Sequence, residues 1–252
     1  MQTTGTGNTS SGKLSYGDSI VYIKNSPVDY KISPLVTRKG KYTAYPAGLA
    51  IDGTTGDITI SRDNDGMLKT ETGLRYLITF EDALGNKENT FLTLSGINYA
   101  DHLYFLSQGD TIADPIYNNA QLASMPCTGS GCVFDEENVA NSSGLNIKTN
   151  SGIINLAQTV RNGLFGATPE NSKNGKEVII KYRLNDKSSK AVNGLKVLLY
   201  YYRTIKDVPE YLTELVTSRE QMFLRVANNS LDENTLTVAA KPRPPCIIIV
   251  GQ

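Results

Sequence analysis

Three cysteines are the most reactive side chains in this chain of 252 residues, and two of them lie close together. Cys127 and Cys132 enclose a short segment with Gly129 and Gly131, and glycines let a chain fold back so that two sulfurs meet. We predict a disulfide between them, which an oxidising compartment favours. Two free thiols are the next alternative, and a redox pair comes third because it needs a strand-to-helix context. Cys246 precedes an apolar run and is predicted to be a small buried residue.

Oxygen-bearing side chains recur in a short segment of the first half. Asp63 and Asp65 occupy alternate positions before Gly66, an arrangement similar to the start of a calcium loop. The later acidic position and the flanking helices of an EF-hand are missing, and Asp, Asn and Gly also form solvated turns. Asp63 and Asp65 are therefore candidate calcium ligands, with a plain turn as the favoured interpretation. No other cofactor is predicted, and a single histidine argues against a zinc site.

Groups for acid–base or nucleophilic catalysis are few in the sequence. His102 is the single histidine, and no Gly-x-Ser-x-Gly elbow occurs. The adjacent acidic pairs Glu81-Asp82 and Glu136-Glu137 would point to opposite faces of a strand. A pair of carboxylates for glycoside hydrolysis is defined by a distance in space, which the sequence does not reveal. We predict that the protein is not an enzyme.

An aromatic surface is the remaining chemistry that the sequence offers. Three tyrosines follow one another, and in a strand Tyr200 and Tyr202 share one face. They are candidate contacts for a ligand or partner, as a flat platform for a sugar or a peptide. Packing of that face on the core is the default. The chain has no Trp, which weakens the interpretation as a sugar site.

The elements that must position these residues are organised by an internal repeat. The segment 46–60 recurs as 142–156, ninety-six residues later and without a gap. The matching pairs are Gly48 and Gly144, Leu49 and Leu145, Ile51 and Ile147, Gly56 and Gly152, and Ile58 and Ile154. Repeats indicate duplicated modules, and a spacing near 100 residues is the usual size of a β-sandwich. Apolar alternation on both sides of a glycine turn predicts a hairpin in each copy.

Further strands are predicted wherever apolar residues alternate, at 19–23, 73–80, 89–94, 101–106, 175–182 and 195–202. One helix is predicted at 208–222, because Leu212, Leu215 and Val216 recur at helical spacing. Asp207 would cap this helix and Pro209 suits its first turn.

The C-terminal segment 246–250 is a run of apolar β-formers and is predicted to be a strand. Ile247 and Ile249 are candidate partner contacts within it. Docking of this strand in a sheet of its own chain is the favoured alternative, because a buried terminal strand is common. Pairing with another chain by strand addition, and so self-association, is the second alternative.

Charge and hydropathy argue against nucleic-acid binding and against a membrane-spanning segment. The chain carries 25 Lys and Arg and 25 Asp and Glu, and this balance argues against nucleic-acid binding. No segment approaches the ~18 apolar residues of a membrane span. Residues 1–14 are polar and are predicted to be a flexible leader without a signal peptide, so an export signal is taken to have been removed. A cytosolic protein with a loose N-terminus is the alternative.

One segment of the first half resembles a known family. It contains Gly48-Leu49, Ile51-Asp52, Thr55-Gly56 and Ile58, and is followed by Gly73, Tyr76, Ile78 and Phe80. It is similar to the tandem Ig-like and cadherin-like modules of surface proteins from the Bacteroidetes group. The second copy departs from the pattern, with Lys148 in place of the Asp and Ser151 in place of the Thr. The resemblance implies a bacterial protein of the cell envelope or extracellular space.

These observations together predict an all-β protein of two tandem Ig-like, cadherin-like sandwiches. The first would span residues 15–96 and the second 97–252, with one short helix in the second. The expected role is a non-enzymatic adhesion, structural or assembly module at the cell surface, with a protein or a glycan as partner. A carbohydrate-binding accessory protein of the cell surface is the alternative.

Overall fold

A computed structural model describes residues 12–63, 67–119, 125–127, 131–227 and 244–252, with the backbone alone for 221–227. The chain is mainly β, with 35% of residues in strands and 13% in helices. This confirms the prediction of a β-rich chain. Of the helices described, none is long and apolar enough to cross a membrane.

Residues 14–94, termed the first unit, form two sheets around one hydrophobic cluster. The strands are β1 (Ile20–Val21), β2 (Tyr30–Ile32), β3 (Lys41–Tyr45), β4 (Ile58–Ile60), β5 (Leu74–Glu81) and β6 (Lys87–Leu94). The larger sheet has the order β1-β6-β5-β3, and β2 pairs with β4. Only the β1–β6 pair of the larger sheet is parallel. The inward residues of β5 alternate, as a strand with one face on a core requires.

The described residues of the range 97–252, termed the second unit, surround a second cluster. The strands are β7 (Ile97–Tyr99), β8 (His102–Phe105), β9 (Ile112–Ala113), β10 (Pro115–Tyr117), β11 (Val133–Phe134), β12 (Ile154–Asn155), β13 (Lys176–Arg183), β14 (Asn193–Tyr202) and β15 (Cys246–Val250). The helices are α1 (Val139–Ser142), α2 (Leu156–Arg161) and α3 (Glu210–Ala227). A five-stranded sheet has the order β11-β13-β14-β15-β8, while β10 pairs with β7 and β12 with β9.

The sequence repeat is also a structural repeat. Ile51 bridges Ile58 in the first unit, and their counterparts Ile147 and Ile154 bridge in the second. The amide of Gly56 donates to the Asp52 carbonyl, and the amide of Gly152 donates to the Lys148 carbonyl, both at 2.9 Å. A buried tyrosine hydroxyl closes each turn by donating to the glycine carbonyl, from Tyr16 to Gly56 and from Tyr99 to Gly152. The shared main-chain and tyrosine contacts are therefore kept despite the departures Lys148 and Ser151.

The predicted leader and the predicted helix differ from the structure, and the second unit holds three helices, α1, α2 and α3, where one short helix was expected. Leu14 belongs to the first cluster and its amide donates to the Glu88 carboxylate at 2.9 Å, so the predicted leader ends before it. The helix α3 begins at Glu210 and continues to Ala227, beyond the predicted end at 222. Asp207 lies in the 3₁₀ turn before α3, where its carboxylate accepts from the amide and hydroxyl of Thr204. The aspartate thus stabilises that turn by a capping box.

Candidate functional site

The C-terminal strand β15 is the most unusual element of the fold. It lies between β14 and β8 and runs parallel to both, with Tyr200 opposite Ile248 and Ile249 opposite Tyr104. All five of its residues are buried. Ile247 and Ile249 face the main cluster of the second unit, whereas Cys246, Ile248 and Val250 face a third cluster under α3. Burial on both faces explains why this strand is a continuous apolar run.

The first unit has a parallel pair of strands that no further strand separates. There the opening strand β1 pairs directly with β6, the second strand of the β5–β6 hairpin. In the second unit β8 and β14, the second strand of the β13–β14 hairpin, are separated by β15, which is parallel to both. The strand β15 therefore fills a slot between β14 and β8.

A buried ion pair lies where β15 enters the sheet. The Oδ2 atom of Asp101 is 3.0 Å from Nε of Arg219, and the two side chains are 0% and 5% exposed. The other carboxylate oxygen of Asp101 accepts the amide of Cys246 at 2.8 Å. Arg219 also donates to the carbonyl of Pro244 at 3.4 Å. Asp101 precedes β8 and Arg219 lies on α3, so the pair joins three elements at the first residue of the strand.

The helix α3 covers the outer face of the five-stranded sheet. Its residues Leu212 and Val216 pack against Tyr200, Tyr202 and the outward residues of β15. The two tyrosine rings stack on each other with centroids 6.4 Å apart. Burial raises the pKa of the Tyr202 hydroxyl to about 12. Tyr200 and Tyr202 therefore share a face as predicted, but that face lies beneath a helix and does not form an open platform.

A polar joint connects the two units. Tyr182 of β13 accepts the amide of Ile97 at 3.1 Å, and its hydroxyl lies 3.3 Å from that of Thr72. The side-chain amide of Asn193 donates to the same Thr72 hydroxyl at 2.9 Å. Burial raises the pKa of Tyr182 to about 12, so its hydroxyl keeps its proton at neutral pH. Every hydroxyl of this group has a partner across the joint, as buried polar groups require.

A second set of contacts lies beside the first. The Oδ2 atom of Asp186 accepts the Ser95 hydroxyl at 2.7 Å and the Tyr117 hydroxyl at 2.9 Å. Arg62 of the first unit donates to the carbonyl of Val192 at 2.8 Å. Burial alone would raise the pKa of Asp186, but hydrogen bonds from Ser188, Ser95 and Tyr117 outweigh it and hold that pKa below its usual value. The carboxylate is therefore charged at neutral pH and fixes the segment between the units.

The cysteine loop forms a disulfide between Cys127 and Cys132, with 5.0 Å between their Cα atoms. The residues between Cys127 and Gly131 lie outside the described part of the chain. Cys132 is buried and belongs to the main cluster of the second unit, and Cys127 packs against that cluster. The disulfide is therefore packed on the core of the second unit. Cys246, the first residue of β15, is buried in the third cluster.

The candidate calcium ligands are described only in part. The carboxylate of Asp63 accepts the amide of Met67 at 2.8 Å, as in a turn. Asp65 lies outside the described residues. Within the described ranges, no group of three or more His, Cys, Asp or Glu side chains could hold a metal ion.

The acidic and histidine side chains that could serve catalysis are dispersed. Glu136 pairs with Arg183 at 2.7 Å and Glu137 with Lys181 at 3.0 Å, so both carboxylates bind cations of β13. His102 begins β8, and its Nε2 is 3.8 Å from a carboxylate oxygen of Asp110. The two glutamate contacts are partly exposed ion pairs, which contribute little to stability.

Among the described residues, a cleft of about 700 Å³ lies between the two units. Its described lining combines charged and small residues with two prolines and includes no aromatic ring: Asp63, Met67, Leu68, Lys69, Thr70, Glu71, Thr72, Glu177, Gly194, Leu195, Lys196, Pro244 and Pro245. Sugar sites commonly use aromatic faces, which this lining does not supply.

Sequence reasoning missed Asp101 and Arg219 as a pair, because nothing in their spacing connects them. One signal for the position of β15 was present, since a helix between two apolar strands is typical of a parallel crossover. No known protein-family profile matches the chain, and a comparison with curated proteins finds no match.

Proposed function

We propose that the protein is a non-enzymatic structural or assembly module of the cell surface or extracellular space, built from two Ig-like, cadherin-like sandwiches. The observation that carries this proposal is the buried polar joint of Tyr182, Thr72 and Asn193. Neighbouring domains move relative to each other by default unless their interface holds them. A joint of this kind holds the two units in one relative orientation. A spacer or an assembly subunit needs such a fixed orientation of its surfaces.

The architecture adds two kinds of support. Each unit has its own buried cluster and its own copy of the glycine turn, so the duplication has preserved scaffolding. The parallel β1–β6 pair, the β5–β6 hairpin and the separate β2–β4 pair are compatible with a sandwich of the Ig type. The disulfide of Cys127 and Cys132 suits an oxidising compartment, and hence export.

The alternative is a carbohydrate-binding accessory protein. It requires exposed aromatic rings beside a groove, whereas Tyr200 and Tyr202 are 9% and 2% exposed. A glycan array with the purified chain separates the two functions. The structural function predicts no binding above background. Binding above background that the same free glycan competes away would overturn it.

The proposed extracellular location can be tested on intact cells of the source organism. Antibodies against the folded chain should label the surface of unpermeabilised cells or detect the protein in the medium. Labelling that requires permeabilisation would contradict an extracellular role.

A further inference from the structure

The loop between β13 and β14, residues 184–192, contacts the first unit and is termed the joint loop. The Oδ2 atom of Asp186 accepts the hydroxyl of Ser95, which connects the two units, at 2.7 Å. The carbonyl of Val192 accepts from Arg62 of the first unit at 2.8 Å. These bonds fix the orientation of the units only as far as the joint loop keeps its own shape.

The shape of the joint loop depends on the packing around it. Ser189 and Lys190 follow each other in the left-handed region, with φ of +53° and +59°. Residues other than glycine keep such backbone conformations only where the surrounding structure holds them. Support from a neighbouring segment is therefore needed for the loop to remain in contact with the first unit.

The cysteine loop supplies such support. The main chain of Gly131 is buried against the joint loop, since a Cβ added at Gly131 would lie 2.6 Å from the side chain of Asn185. The next residue, Cys132, is bonded to Cys127. Leu184, where the joint loop begins, packs in the same cluster as Cys132. The disulfide thus fixes the chain at the point where it supports the joint loop.

The segment that leads to the cysteines also starts at the joint. The hydroxyl of Tyr117 donates to Asp186 at 2.9 Å. Asn118 exchanges two bonds with Gly96: its amide donates to the Gly96 carbonyl, and its side-chain oxygen accepts the Gly96 amide, both at 3.0 Å. Asn118 is buried and left-handed, with φ of +54°. The described residues at both ends of the range 117–132 therefore contact the joint.

We infer that the disulfide between Cys127 and Cys132 is a redox-dependent brace, which holds the joint only while the two sulfurs are bonded. Reduction by a dithiol proceeds by thiol–disulfide exchange: two electrons pass to the protein disulfide, which becomes two thiols, and the dithiol becomes a disulfide. The segment around Gly131 then opens locally at a lower free-energy cost, and the orientation of the two units loosens. This inference rests on the proposed structural function and names what regulates the joint.

Energy transfer between two dyes tests the brace. Maleimide dyes are attached to Leu84→Cys and Val139→Cys, one on each unit at exposed positions, before any reductant is added. We expect a narrow distribution of transfer efficiencies for the oxidised protein, a broader one after dithiothreitol, and a return to the narrow one after reoxidation. A variant with Cys127→Ser and Cys132→Ser should give the broad distribution with and without dithiothreitol. Equally narrow distributions in both redox states would overturn the inference.

The matched control is Leu164→Ala, which truncates a buried side chain of the main cluster and leaves the disulfide in place. Leu164 packs beside Gly144. The oxidised control should keep the narrow distribution. Broadening equal to that of the double serine variant would show that any loss of stability in the second unit loosens the joint, which contradicts a specific brace.

Hydrogen exchange in the unlabelled parent covers the case in which reduction unfolds the second unit. A brace predicts that reduction speeds exchange at the amides of Gly96 and Asn118 by roughly tenfold or more, while the amide of Val197 within β14 keeps its rate. Equal acceleration at all three amides would indicate unfolding of the whole unit, and no acceleration would show that the joint is not coupled to the disulfide. Either result contradicts the inference.

The inference and the proposed function fail separately. A narrow distribution of transfer efficiencies in both redox states removes the brace but leaves the fixed orientation of the units intact. A broad distribution in the oxidised parent would contradict the proposed function itself.

Discussion

Asp101 and Arg219 form a buried ion pair, with 3.0 Å between Oδ2 and Nε, at the place where β8, α3 and β15 meet. Removal of one member of such a pair leaves an uncompensated buried charge, which costs about 3–5 kcal/mol. We expect Arg219→Met to lower the free energy of unfolding by that amount in urea titrations.

The matched control is Arg203→Met. Arg203 is 57% exposed and lies 4.0 Å from Glu170, so its loss should cost less than about 1 kcal/mol. The paired change of Asp101→Asn with Arg219→Met should cost less than Arg219→Met alone, since it removes both charges and keeps an oxygen for the amide of Cys246. Equal unfolding free energies for Arg219→Met and Arg203→Met would contradict a structural role for the buried pair.

The two copies of the glycine turn should respond alike to substitution. Gly56 and Gly152 have φ of +76° and +74°, and an added Cβ would lie 2.7 Å from the ring of Tyr42 and 2.6 Å from the ring of Phe134. Gly85 has φ of +83° with open space around it, so Gly85→Ala costs only the backbone strain of about 1–2 kcal/mol. We expect Gly56→Ala and Gly152→Ala each to lower the unfolding free energy by more than Gly85→Ala does. A smaller loss for either would indicate that the copies are not equivalent.

The joint between the units should weaken in acid. The pKa of Asp186 in the folded protein lies below the ordinary value of 3.8, so its contribution to stability is present above pH 3.8 and is lost as the pH falls through the folded pKa. Asp186→Asn should therefore lower the thermal unfolding midpoint at pH 7, and the difference from the parent should narrow below pH 3.8. If the difference in midpoint between the parent and Asp186→Asn stays constant as the pH falls, the charge of Asp186 does not stabilise the joint.

The disulfide of Cys127 and Cys132 closes a short loop on the second unit. The loop-entropy relation gives about 2 kcal/mol for a loop of this length. A variant with Cys127→Ser and Cys132→Ser should lose this amount in urea titrations, and dithiothreitol should lower the midpoint of the parent but not that of the variant. If dithiothreitol lowers the midpoints of both proteins equally, the disulfide between Cys127 and Cys132 is contradicted.

Local patterns in the sequence predicted local structure well. The alternation in β5, β13 and β14 placed these strands because each has a face on a core, and the glycine turns were placed because Gly56 and Gly152 require a left-handed backbone. The same local patterns did not predict contacts between elements that are distant in sequence. The apolar run of β15 reveals burial on both faces but not the identity of its neighbours. The covering of Tyr200 and Tyr202 depends on where α3 crosses the sheet, which no spacing within the strand encodes.

The central claim is that the two units hold a fixed position relative to each other. The distance between spin labels on the two units tests this claim most directly. Cysteines introduced at Leu84 and Val139, which are 88% and 56% exposed, provide one label on each unit. Pulsed electron resonance should give a single narrow distance distribution that broadens in a variant with Tyr182→Phe and Thr72→Ala. A broad distribution in the parent labelled at the same two positions would contradict the account.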